Sequence, residues 1–451
     1  MDIAIRLIEY LLFILVIYKL IFEKDKEKSF YWYAGGNILL YPLMKLPIIP
    51  AAPVLLPLIC IIRAYKDDEL KKLWQIYPLR ILTLVMLAYH VVHPFIASWM
   101  PLLTAIRYEL YELSQTYLVL LGGFLIAPPN LSRSHFQRCL MLLAGILIVT
   151  GVMCWMLSSN FIAAAFSETG DSYFGSDRVG TARGFRATGP AFSPNSYGNA
   201  LVFCILLVNH YIEKNTLKIP LILCLLLCIV FTASRAPVFI LAIGLCVYYF
   251  FQKKSKLILA VAVVFIGLII FGDVLADNEY IGKYVSGVMD LVLTGGQNTD
   301  GSSSELRLMQ WMTTLTYLQE APIWGHGEGY TMQLVNEGGR FFSLKDASLA
   351  GAEGYQYITL IDYGLSYMIL VLAFFFILIY YFCKSIRDKE SDEAGMWGLC
   401  FTLCLLVFLI SSRPNQIWQI YFPFVGLCMK SIVCQQYYKK FAHGYNISMR
   451  R

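Results

Sequence analysis

Charge is what this sequence has least of. Lys, Arg, Asp and Glu make up 15% of 451 residues, where a soluble domain carries about 25%. With 58% hydrophobic residues and a mean hydropathy of +0.61, the scarcity excludes a soluble globular protein and indicates a polytopic integral membrane protein, a single all-α unit over residues 1–451. Cysteine is absent from the two long polar segments. All twelve cysteines, Cys60 to Cys434, lie in or at the ends of apolar runs, as small buried hydrophobes do, and no disulfide framework braces the loops. There is no GxxxxGK[ST] phosphate loop, no closely spaced Cys/His set outside the apolar runs and no full calcium-loop pattern, so neither a nucleotide nor a metal site is expected. The first apolar run, Ile3–Phe22, lacks a basic region followed by a small-residue cleavage site and reads as a retained helix.

Apolar runs of membrane-crossing length come next. After Ile3–Phe22 follow a Pro-rich stretch Tyr31–Ile62, then Trp74–Ile96, Tyr108–Ala127, Cys139–Ser158, Ala191–Ile212, Leu217–Ala233, Pro237–Phe251, Leu257–Val274, Tyr355–Cys383, Met396–Ser411 and Ile417–Cys434. These make twelve spans, or thirteen if Pro42, Pro47, Pro50, Pro53 and Pro57 bend Tyr31–Ile62 into a hairpin. The connections Arg63–Lys72, Arg133–Arg138, Lys214–Lys218, Lys253–Lys256, Lys384–Lys389 and the tail Lys439–Arg451 are basic and alternate correctly if all are cytoplasmic. The thirteen-span reading adds Lys24, Lys26 and Lys28 to that side. The net charge of +6 is then mostly the positive-inside bias of short loops, with no nucleic-acid partner implied.

Against this background two outer polar segments display arginine. Residues 160–190 hold Arg178, Arg183 and Arg186 and no lysine; the larger loop, 278–351, is predominantly acidic but holds Arg307 and Arg340. The positive-inside rule depletes arginine there unless something needs it. Guanidinium pairs bidentately with phosphate and never deprotonates, so arginines above a hydrocarbon body suit an anionic head group on a lipid tail.

Three local patterns carry the chemistry. In the run from Thr181 to Gly198, Arg183 and Arg186 enter a Gly/Pro-rich turn that leads into a membrane helix, which Ser193 or Asn195 caps with Pro194 in its first turn. Backbone N–H groups and arginines then face the same space, suited to an anion; the alternative is surface pairing with Asp171 or Asp177. Arg235, in Thr232–Pro237, sits between two apolar runs, where it either serves a site or snorkels. Finally, an amphipathic helix holding Arg307 and Trp311 leads into the glycine-rich turn Ala321–Tyr330.

Together these patterns resemble the O-antigen ligase and polymerase superfamily of bacterial polysaccharide assembly. Arg186, Gly189, Phe192, Pro194 and Asn195 are similar to its R-x-x-G-x-x-F-x-P-N stretch, Ser234 and Arg235 to its S-R element, and Arg307, Trp311, Pro322, Gly325 and Gly327 to its R-x-x-x-W…P-x-x-G-x-G stretch. The resemblance covers about residues 160 to 369. It implies a metal-independent, multi-pass inner-membrane enzyme without a cofactor, acting at the periplasmic face on glycans carried by undecaprenyl diphosphate; the basic tail puts the C-terminus in the cytoplasm and the large loop, carrying short helices, in the periplasm. A chain-length regulator and a flippase are the protein partners such an enzyme would have.

One departure bears on the subtype. Family ligases carry a His-Asn pair about eleven residues before a glycine at the start of the helix after the large loop; counting back from Gly364 lands on Glu353-Gly354. Glu353 is the candidate proton acceptor, and pairing with a loop arginine is its alternative role. His326 is the second candidate, and a solvated loop histidine is its alternative. His90 and His93 read as buried or interfacial polar residues of a span, without a catalytic role. The missing pair favours a repeat-unit polymerase, in which Arg186, Arg235 and Arg307, with Arg183, hold the donor diphosphate. A ligase transferring glycan to lipid A-core or protein is the alternative. A flippase of lipid-linked sugars is the rival of another class, and it should line a central path with charge along several spans.

Overall fold

The computed structural model describes residues 2–40, 52–166, 185–191, 193–234, 236–259, 304–331, 333–334, 349, 354–388, 392–411 and 416–448. Among them all regular structure is helical. The chain runs through α1 (Asp2–Phe22), α2 (Lys26–Leu39), α3 (Ala52–Lys66), α4 (Leu70–Ile76), α5 (Arg80–Ile96), α6 (Leu102–Gln115), α7 (Tyr117–Ile126), α8 (Arg133–Leu157) and α9 (Phe161–Phe166). It continues through α10 (Pro194–Tyr211), α11 (Asn215–Phe231), α12 (Ala236–Phe251), α13 (Ser304–Glu320), α14 (Tyr355–Arg387), α15 (Asp392–Ser411) and α16 (Ile417–Ser448).

Helices α10 and α16 form the centre. Pro194 and all residues from Ser196 to Val208 are buried in α10, and 89% of the apolar window of α16 is enclosed, against 28% for α8 and 33% for α14. The peripheral helices turn large apolar side chains outward, among them Leu142, Ile369 and Phe376. A soluble protein cannot keep such a belt in water; a lipid-facing surface requires it. Since lipid is as apolar as leucine, the centre is held by close packing. At Gly123 of α7 an added Cβ would lie 2.7 Å from the Pro423 backbone of α16, so the two helices touch through their main chains.

Among the described residues four helices are long and apolar enough to cross a bilayer, in α8, α14, α15 and α16, and a fifth counts if α4 and α5, bent by 103°, form one crossing. That bend means the expected span Trp74–Ile96 starts on a short helix lying across the next one. The expected span Tyr108–Ala127 is likewise divided, between α6 and α7, at Thr116 with φ −107° and ψ −93°. The Pro-rich stretch Tyr31–Ile62 holds two helices, α2 and α3, with 41–51 outside the described residues. Periodicity identifies apolar runs but does not register such breaks, and these lengths do not establish a count of twelve or thirteen.

Side-chain contacts sort the helix ends into two sets. At one end Lys26 pairs with Glu69 at 2.6 Å, the Ser132 amide donates to Glu27, Arg133 pairs with Glu213 at 2.8 Å, and His210 bonds Glu393. The connections after α1, α3, α7, α10 and α14 are therefore neighbours; this is the basic end. At the opposite end Arg6 Nε donates to the Ala165 carbonyl, Gln416 Nε2 to the Ile38 carbonyl and the Tyr421 hydroxyl to Asn199, while the rings of Tyr355 and Trp418 pack at 5.8 Å. The start of α1 lies there with the starts of α10, α14 and α16. Lys24, Lys26 and Lys28 thus join the basic end, the arrangement a hairpin at Tyr31–Ile62 requires.

Candidate active site

Two polar assemblies occupy the end opposite the basic one. The first is built around Arg186. Asn160, just before α9, spans the incoming chain: its Nδ2 donates to the Arg186 carbonyl at 3.0 Å and its Oδ1 accepts the Thr188 amide at 2.9 Å. The Ala187 amide donates to the Phe231 carbonyl and Arg186 Nε to the Thr232 carbonyl at 3.1 Å, so both the backbone and the guanidinium plane are fixed against the end of α11. Gly189 turns the chain with φ +52°, over the ring of Tyr197. Ser193, the residue before α10, caps the helix by accepting the Ser196 amide, with Pro194 in the first turn, where its missing N–H costs nothing. Of the two expected caps, Ser193 performs the task. Asn195 instead accepts the hydroxyl proton of Ser234. The R-x-x-G stretch and Ser234, distant in sequence, are thus one structure.

The second assembly is the glycine turn after α13. It lies against a break within α14, where Gly364 has φ +73° and ψ −168°. The freed backbone groups bond across: the His326 amide to the Ile361 carbonyl, the Gly327 amide to the Asp362 carbonyl and the Leu365 amide to the Pro322 carbonyl, each at 2.9 Å. The carboxylate of Asp362 accepts the amides of Gly329 and Thr331 and the Thr331 hydroxyl. A Cβ at Gly325 or Gly364 would lie 2.5 to 2.6 Å from the opposite backbone, so both positions need glycine. Gly327 has φ +104°. Trp311 of α13 packs edge-on against Tyr357 of α14 at 5.1 Å. His326 donates from Nε2 to the Tyr317 carbonyl at 3.0 Å and stacks on Tyr330. As a neutral ring it keeps Nδ1 as its basic nitrogen, the atom that can accept a proton.

Beneath the turn is a buried group that the sequence reading did not assemble. His90 and His93, one helical turn apart on α5, hydrogen-bond through Nδ1 to the two oxygens of Glu109 on α6. His93 Nε2 reaches the Trp324 carbonyl in the glycine turn at 2.7 Å, and His90 Nε2 reaches the Tyr367 hydroxyl at 3.1 Å. All three ionisable side chains are 0–1% exposed. Within the turn, Glu328 accepts the Tyr363 hydroxyl, and burial, then Asp362, Glu112 and Glu109, hold its carboxyl well above the usual carboxylate range. His90 and His93 are buried polar residues of a helix, as expected, and their partner Glu109 is the residue the sequence did not single out. The available signal was an ionisable residue, Glu109, inside an apolar run.

Of the expected site residues, Arg186, Gly189, Pro194, Asn195 and Ser234 come together in the first assembly, and Trp311, Pro322, Gly325, His326 and Gly327 in the second. Arg183, Phe192, Arg235 and Glu353 lie outside the described residues, as does most of both polar segments; Arg307 falls on α13, with its side chain also outside them. Among the described residues no group of three or more His, Cys, Asp or Glu could hold a metal ion.

The fold and these contacts define a helical membrane protein whose polar turns are gathered at one end of the bundle. Residues 220–351 match the family model described as O-antigen ligase, under a third of the chain. The matched segment supports assignment to the O-antigen ligase and polymerase superfamily and does not separate polymerase from ligase. It contains Ser234, the helix of Arg307 and the glycine turn; Arg186 precedes it and Glu353 lies just beyond it. No curated protein matches the chain.

Proposed function

We propose that this protein is a metal-independent glycosyltransferase that joins undecaprenyl-diphosphate-linked repeat units into a surface polysaccharide. The family match gives the class of reaction, and the gathering of the motif turns at one end supports a single site there. With the basic end in the cytoplasm, that site opens to the periplasm of a bacterial inner membrane. A sugar hydroxyl of the acceptor attacks the anomeric carbon of the donor, the bond to the diphosphate oxygen breaks, and undecaprenyl diphosphate departs. Arg186, Arg235 and Arg307, with Arg183 beside them, neutralise charge growing on the leaving group, each worth ~3 kcal/mol where well placed. Arg186 is the best supported of these, because its guanidinium is already held on Thr232. Glu353 or Nδ1 of His326 accepts the hydroxyl proton.

Surface-glycan analysis after gene deletion tests this reading: single repeats mark a polymerase, and long chains left unattached mark a ligase. Unchanged glycan would reject both. The ligase alternative retains the support of the family description itself. A flippase has less: among the described residues the largest buried ionisable group, His90, His93 and Glu109, is gathered under the glycine turn. The proton acceptor is identified by Glu353→Gln and His326→Ala. Loss of polymer in one variant, with protein still inserted and donor still bound, marks the base; near-normal polymer in both leaves catalysis to the arginines and to positioning.

A further inference from the structure

The glycine turn belongs to the family-matched segment, but the residues that hold it from below, on α5 and α6, do not. Besides ring contacts of Tyr89 on Trp324 and of Trp99 on Tyr330, hydrogen bonds reach the turn from α5 and from the connection after it, His93 Nε2 on the Trp324 carbonyl and Trp99 Nε1 on the Glu328 carbonyl. The second is an exposed contact. The first, a part-buried bond, ends a chain of buried side chains.

The hydrogens along that chain are constrained by its acceptors. The Trp324 carbonyl can only accept, so His93 carries hydrogen on Nε2. Each contact between Glu109 and a histidine Nδ1 also needs a hydrogen, or two lone pairs would face one another across a short gap. His90 supplies one from Nδ1 and accepts on Nε2 from Tyr367, whose hydroxyl also meets that of Tyr117. The remaining hydrogen is shared between Glu109 and His93. The His93 ring packs on Tyr89, stacked at 5.1 Å, and on Tyr363, at 5.0 Å. Tyr89 extends the same stack to Trp324 and donates its hydroxyl to the Tyr363 carbonyl at the break in α14.

We propose that His93 is a positioning residue: braced by Glu109 and His90, it holds the glycine turn through the Trp324 carbonyl in the register the site needs. On that side the turn is otherwise met by the exposed Trp99 bond and by ring contacts of Tyr89 and Trp99, while its backbone bonds to another helix run to α14. The link to catalysis rests on the proposed glycosyltransferase reading; the link to the turn's position does not.

Two substitutions separate the two nitrogens of His93. In His93→Asn the amide nitrogen stands near Nδ1, keeps the bond to Glu109 and stops short of Trp324. In His93→Gln it stands near Nε2 and keeps Trp324 while releasing Glu109. Hydrogen exchange of the full-length protein in lipid nanodiscs would be followed at the amides of His326, Gly327, Gly329 and Thr331, which are protected only by docking on α14. We expect His93→Asn to speed their exchange roughly tenfold or more, while His93→Gln stays within about threefold of the parent. Polymer length in cells should follow the same order.

Equal exchange in the two variants would overturn the proposal, because a merely structural histidine has no reason to distinguish them. So would a loosened turn with polymer of normal length. If deletion of the gene leaves the glycan unchanged, the proposed function fails while the exchange comparison still stands or falls by itself.

Discussion

The two ends of the bundle both carry paired charges and use them differently. At the basic end Arg133 and Glu213 meet at 2.8 Å with side chains 57% and 69% exposed, in water that supplies nearly the same interactions. At the opposite end Glu109 meets two histidines with every partner 0–1% exposed. Exposed pairs locate connections on one side of a membrane and contribute little else. Buried ones must be complete, because a charge left alone there has no solvent to replace its partner.

The sharpest way to break this contrast is Glu109→Ala, which strands two buried histidines and should cost about 3–5 kcal/mol, read as a lower unfolding midpoint in detergent. Gly364→Ala follows. Its Cβ would lie 2.6 Å from Gly325 N and Ile323 O, at φ +73°. Positive-φ strain and overpacking together should cost about 2–5 kcal/mol and detach the glycine turn, with polymerisation lost.

Arg186→Lys keeps the charge but loses the planar fork, so the rate should fall by about ten- to a hundredfold, 1.4–3 kcal/mol. Arg178→Lys and Arg340→Lys should be mild by the same polymer assay.

Glu328 sharpens the comparison through pH. A carboxyl raised in the folded protein stabilises it fully below its unfolded value of about 4.3, and that contribution is lost as pH rises through the folded value. The unfolding midpoint should therefore decline toward alkaline pH. Glu328→Gln, neutral throughout, should flatten the decline.

Smallest of all is Glu213→Ala at the basic end, expected within ~1 kcal/mol of the parent and weaker still at high salt. A large loss there would mean that the two ends do not differ as described.

The sequence alone determined the class and much of the motif set. Scarce charge and long apolar runs dictate a helical membrane protein, because backbone polar groups in lipid must be satisfied within the chain. Short motifs at Arg186–Asn195, Ser234 and Pro322–Gly327 were legible because glycine and proline have few substitutes where a turn is tight. Tertiary structure decided what no window of residues contains. It joined Ser234 to Asn195, set the glycine turn on a break at Gly364, and brought His90, His93 and Glu109 to one point under Trp324. A buried polar residue is tolerated only with its partner, and the partner comes from another helix, so its role becomes readable once the helices are packed.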